Sequence, residues 1–177
     1  MGTILGISCA GGVVVVGDRL LTADGHVRGT RRHVFDFDRV GVAAVGDDVE
    51  QFAARLESEL RAYRTDRGPV RITPLARMAS DLAPDCSVAA AVAAPDESGT
   101  PALRATGPDG GVTTDALVAF GSGASVALGS LEASHDSDAS LDTAETLARN
   151  ALSSAAERDP GTGEELDAFR LPACISD

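Results

Sequence analysis

Apolar residues recur along this chain with two different periods, and the switches between them mark out paired strands and paired helices. Residues 4–10 and 13–19 are short apolar runs on either side of Gly11-Gly12, which predicts a hairpin turning at the glycines. Val34–Asp38 and Val40–Val45 predict a second hairpin. From about Asp48 to Arg64 the period becomes helical: Val49, Phe52, Ala53, Leu56, Leu60 and Tyr63 recur at three and four, and Glu50, Arg55, Glu57 and Arg61 fill the other face. Thr73-Pro74 supplies an N-cap and first-turn pair for a second helix carrying Leu75, Met78, Ala79 and Leu82, which Pro84 is predicted to end.

The second half repeats the scheme. Ser87–Ala94 and Ala102–Thr106 read as strands around a Pro-Asp-Glu-Ser-Gly loop, and Asp109-Gly110-Gly111 turns the chain into Leu117–Phe120. Gly121-Ser122-Gly123 opens a third helix. A fourth begins near Ser140 or Asp142, with Leu141, Ala144, Leu147, Ala148, Ala151, Leu152 and Ala155 on one stripe. Asp159-Pro160-Gly161 stops it, and Leu166–Leu171 is the last strand. Strands, two helices, strands, two helices is the order expected of two helix layers around two stacked sheets. No linker, repeat or low-complexity tract divides the chain, so residues 1–177 are expected to form a single domain.

Charge narrows the function. All 15 basic residues are arginine, against 27 acidic ones, for a net charge of −12. A lysine-free, Asp- and Ala-rich chain of this kind suits concentrated salt, where self-repulsion is screened within about 3 Å at 1 M. The same balance argues against a nucleic-acid partner, which needs a basic face. No apolar run reaches the roughly 20 residues of a membrane span, and no signal peptide precedes the first strand, which points to a cytoplasmic protein. Cys9, Cys86 and Cys174 have no metal-ligand spacing and read as reduced, buried small hydrophobes.

Five short motifs, in order, carry a family resemblance. Val16-Gly17-Asp18-Arg19 with Thr22, Val45-Gly46-Asp47, Leu60–Arg64, Phe120–Gly123 with Gly129-Ser130-Leu131-Glu132, and Arg158–Gly163 resemble the signature segments of proteasome β and HslV-type subunits. The resemblance covers the chain to about residue 172. It implies the four-layer αββα sandwich of the N-terminal-nucleophile hydrolases, an α+β fold, and protein degradation inside a self-compartmentalised ring. It implies no cofactor and no metal. Partners would be further copies of the chain in a homo-oligomeric ring, or other proteasome-like subunits, with unfolded protein or peptide as substrate. The short stretch after Leu171-Pro172 leads us to expect a C-terminus truncated relative to the family.

The family's chemistry, in this resemblance, uses a threonine hydroxyl that attacks a peptide carbonyl and its own α-amine as base. A lysine held by an aspartate lowers the barrier to proton loss, and a Ser-Asp-Ser cluster orients the amine. Asp18 matches the aspartate; Ser122, Asp159 and Thr162 match the cluster; Ala43 falls near the oxyanion-hole position. His33 stands at the lysine position, and counting back from Asp18 puts Gly2, not Thr3, at the nucleophile.

Two readings follow. In one, removal of Met1-Gly2 frees Thr3, which acts as an N-terminal threonine peptidase. In the other, Gly2 occupies the catalytic position and the subunit is impaired, structural or repurposed. Strand alternation favours the second, because a one-residue slip turns Thr3 to the opposite face from Asp18 and His33. An amidase acting on a non-peptide substrate is a third possibility that the sequence leaves open. Plainer roles are also open: Asp18 as an ion-pair partner of Arg19, Ser122 as a helix N-cap, Asp159 as a turn cap. Arg28, Arg31 and Arg32 read as either a solvated loop or an inter-subunit salt-bridge donor, and His26 and His135 as solvated loop residues.

Overall fold

Val13, Val14, Val15 and Val16 are all fully buried, because their strand is covered by side chains on both faces. The computed structural model describes residues 1–174, and the expected shortness of the C-terminus falls in part on residues outside them. The chain opens with β1 (Thr3–Cys9) and β2 (Gly12–Asp18), paired antiparallel about Gly11 as predicted. A small separate hairpin, β3 (Leu20–Ala23) and β4 (His26–Thr30), comes next. Then follow β5 (Val34–Asp36), β6 (Gly41–Gly46), α1 (Val49–Arg67) and α2 (Ile72–Cys86). The second half runs β7 (Val88–Pro95), β8 (Pro101–Thr106), β9 (Val112–Thr113) and β10 (Leu117–Gly121). It ends with α3 (Ala124–Ser134), α4 (Leu141–Ala156) and β11 (Leu166–Pro172).

The strands form two main sheets, ordered β10-β1-β2-β11 and β5-β6-β7-β8-β9. Alternation along each strand sorts its side chains between two cores. On β6, Val42 and Ala44 pack in the core shared with α1 and α2, while Ala43 and Val45 pack between the sheets. On β2, Val13 and Val15 enter the inter-sheet core, and Val14 and Val16 meet the residues of α3 and α4. Three stacked cores therefore give the four-layer αββα sandwich. Each fully buried valine or leucine contributes on the order of 1.5–3 kcal/mol. None of the described helices is long and apolar enough to cross a membrane.

Several boundaries differ from expectation for local reasons. Helix α1 begins as expected, with the Asp48 carboxylate accepting from the Gln51 N–H at 3.0 Å, but it runs on to Arg67. Helix α2 starts two residues early, at Ile72 after Arg71, with Thr73-Pro74 inside its first turn. Pro84 does not end it. A proline so near the C-terminus removes one helical hydrogen bond only, and Ser87, at φ 52°, closes the last turn through its N–H to the carbonyls of Ala83 and Pro84. The β3–β4 hairpin escaped the sequence reading because β4 is exposed along its whole length and carries no apolar alternation. His26 lies in that strand rather than in a loop, and is exposed as expected.

The two sheets approach closely where β6 meets β11. Gly41 of β6 faces Phe169 of β11, and a Cβ added at residue 41 would lie 2.0 Å from Phe169 Cδ1. Gly41→Ala is therefore expected to lower stability by about 1–3 kcal/mol in urea unfolding, with Phe169→Leu restoring part of the loss. An unchanged unfolding midpoint for Gly41→Ala would contradict this packing.

Candidate active site

At the end of the four-stranded sheet, β1 begins beside the last residue of β2, Asp18, whose side chain is fully buried. Its carboxylate accepts the N–H of Thr3 at 2.9 Å and the N–H of Gly163 from the loop ahead of β11. His33, also fully buried, lies just ahead of β5. Its Nδ1 sits 2.6 Å from the Asp18 carbonyl oxygen and 3.5 Å from the Asp18 carboxylate, so Nδ1 carries the proton and donates to the carbonyl. Nε2 is then a lone-pair site, with no hydrogen-bond partner among the described residues.

Burial holds the His33 pKa below its ordinary value against the opposing pull of Asp18, and nearby Arg31 adds to the effect. Burial likewise pushes Asp18 up, more than the N–H groups of Gly163 and Thr3 and the imidazole pull it down. Arg31 is anchored within the chain, donating to the carbonyls of Gly46 at 2.8 Å and Asp47 at 3.1 Å, rather than lying in a solvated loop. Arg19 pairs with Asp167, not Asp18.

Residue 2 meets this dyad with its backbone. The Gly2 N–H donates to the Gly161 carbonyl at 3.0 Å, and the Gly2 carbonyl accepts from the Ser122 N–H at 3.2 Å. Its φ is +78°, and a Cβ there would fall 2.5 Å from His33 Cε1 and 2.8 Å from the Asp18 carboxylate. The imidazole therefore fills the space that a side chain at residue 2 would need.

A second cluster lies on the other side of β1. The Asp159 carboxylate accepts from the hydroxyls of Ser122 and Thr162, both at 2.6 Å, and from the Gly161 N–H at 3.2 Å. Burial pushes the Asp159 carboxyl up, but these donors outweigh it and hold the group below the usual carboxylate range. Asp159 thus caps the turn and gathers the cluster at once, and Ser122 serves Asp159 while Gly123 occupies the N-cap of α3.

Thr3 belongs to this cluster. Its fully buried hydroxyl lies 2.7 Å from Thr162 Oγ1 and accepts the Gly123 N–H at 2.9 Å. Because the Thr162 proton goes to Asp159, the Thr3 hydroxyl must donate to Thr162. The result is a relay from Gly123 through Thr3 and Thr162 to a carboxylate, in which each bond polarises the next. The structure thus brings Asp18 and His33 together on one side of the strand, and Ser122, Asp159, Thr162 and Thr3 on the other. Ala43 is buried between the sheets opposite Val34, and the N–H of its neighbour Ala44 donates to the His33 carbonyl at 2.8 Å. Sequence reading missed the Gly163 N–H and the Arg31 anchor; both lay within stretches it had noted, Arg158–Gly163 and the arginine run, but backbone donors and carbonyl contacts leave no mark in residue types.

Thr3→Val keeps the shape and removes the hydroxyl, leaving the Gly123 N–H unpaired. It should cost about 1–3 kcal/mol in denaturant unfolding, while Thr3→Ser stays close to wild type. A neutral Thr3→Val would contradict the relay. The unfolded chain protonates His33 near its ordinary value of about 6.5, whereas the folded site resists the proton. His33 therefore withdraws no stability above that pH, and stability falls as pH drops below it. His33→Asn should flatten this slope in unfolding curves measured between about pH 5 and 8.

The chain matches the proteasome subunit family over residues 1–170. It is 34% identical to proteasome subunit beta 1 of Staphylothermus marinus, an alignment covering 96% of this chain and 84% of the relative. It is 32% identical to proteasome subunit beta 1 of Desulfurococcus amylolyticus, over 94% of this chain and 87% of that one. It is 31% identical to a proteasome subunit beta of Halorhabdus utahensis, covering 93% and 74% respectively. With these matches and the αββα sandwich, the chain belongs to the proteasome subunit family, among its archaeal β-type relatives.

Proposed function

We propose that this chain is a β-type subunit of a proteasome-like, protein-degrading assembly that takes its place in the ring without supplying a nucleophile. The observation that carries this reading is the geometry of residue 2. That position has no hydroxyl, and the volume a side chain would occupy is taken by His33 and Asp18. A hydroxyl attacks a carbonyl only when a base beside it takes its proton. His33 offers a basic lone pair at Nε2, and what it faces is a bare α-carbon.

Thr3 carries the hydroxyl at the start of β1, and its oxygen is committed to Gly123 and Thr162. Its backbone N–H, not its side chain, is the group held by Asp18. In this reading Asp18, His33, Ser122, Asp159 and Thr162 position the N-terminal strand and do not turn over substrate. The subunit is then a structural or regulatory member of a ring made of its own copies or of other proteasome subunits. A cytoplasm of high salt suits a lysine-free chain of net charge −12 with haloarchaeal relatives.

The test is hydrolysis of fluorogenic peptides and of an unfolded protein by the assembled protein in high salt, for wild type, Thr3→Ser and Thr3→Val. We expect no turnover above buffer in any of the three. Turnover by wild type and Thr3→Ser that disappears in Thr3→Val would overturn the proposal and establish Thr3 as the nucleophile.

A further inference from the structure

Far from β1, where the β5–β6 turn meets the end of α1 and the start of α2, a cavity of about 550 Å³ opens to solvent. Arg39, Arg64 and Arg71 line it, with Asp38 as its one acidic residue. That is three of 15 basic residues in a chain with 27 acidic ones, so the local charge is opposite to that of the molecule.

The three guanidinium groups are held differently. Arg64 is fixed to the wall, its Nη2 donating to the carbonyls of Phe37 and Asp38. Arg71 uses one nitrogen, Nη1, on the Asp96 carbonyl at 3.3 Å. Arg39 makes no hydrogen bond or ion pair among the described residues. It stands in a tight turn closed by the Phe37 N–H to the Val40 carbonyl at 2.8 Å. Two forks are thus pre-set by backbone contacts with N–H groups to spare, and a third has no polar partner among the described residues. Pro69 and Pro95 give the same cavity apolar surface.

We propose that this cavity binds an organic monocarboxylate with a small apolar body. A guanidinium fork matches the two oxygens of a carboxylate and is weakly hydrated, so it gives up water at modest cost. The prolines cover the apolar part, and the volume lies within the roughly 300–1,000 Å³ range of small-molecule sites. Asp38, the acidic residue of the lining, disfavours a second anionic group on the ligand. The inference stands whether or not residue 2 or Thr3 cuts peptides.

Hexanoate is the probe, titrated at fixed ionic strength and followed by calorimetry and by the Nε–H resonance of Arg39. Hexanamide and inorganic phosphate serve as controls. Saturable binding of hexanoate is expected, weaker by about tenfold or more in Arg39→Gln and lost in Arg39→Gln/Arg71→Gln. Arg39 is exposed and makes no hydrogen bond or ion pair among the described residues, so Arg39→Gln should unfold at the wild-type midpoint. No binding by wild type, equal binding of hexanamide, tighter binding of phosphate, or full affinity in Arg39→Gln would each overturn the assignment.

Discussion

The buried carboxylate of Asp18 is the constraint on which the site depends. A carboxylate taken wholly out of water is strongly unfavourable unless donors surround it, and each hydrogen bond to a charged group contributes about 1.5–3 kcal/mol. Asp18 gets its donors from the start of β1, through Thr3, and from the loop before β11, through Gly163. Its own backbone carbonyl fixes His33 just before β5. One residue at the end of β2 therefore registers three separate segments and places residue 2 against the imidazole.

Strand parity does the rest. With the Thr3 N–H bound to Asp18, the Thr3 side chain points to the Asp159 cluster and Gly2 is left beside His33. The two sides are complementary in charge behaviour. On one, burial resists ionisation of both Asp18 and His33; on the other, three donors keep Asp159 ionised. Gly2 and His33 also depend on each other, because the ring fits only where residue 2 lacks a Cβ. On the reading proposed here, that pairing replaces the threonine and lysine of a cutting site with a packed, silent one.

Much of this was legible in the residues. Period switching located the two hairpins and three of the four helices, because burial in a sandwich imposes its period directly on the sequence, and Gly121-Ser122-Gly123 marked the start of the remaining one. The strand-alternation argument at Gly2-Thr3 anticipated the direction of the Thr3 hydroxyl. The exposed β3–β4 hairpin was not legible, since β4 buries nothing. Pro84 misled because its effect depends on distance from the helix end, which composition does not reveal. The relay through Thr3 was hidden as well: Thr3 and Thr162 are far apart in the chain, and only the fold brings their hydroxyls to 2.7 Å.

The most direct test of the central claim is the intact mass of the assembled protein purified in high salt. Our account predicts a chain that retains Gly2, with Thr3 inside the polypeptide and its N–H on Asp18. A chain that begins at Thr3 would contradict it, because a free threonine amine would then stand at the head of β1.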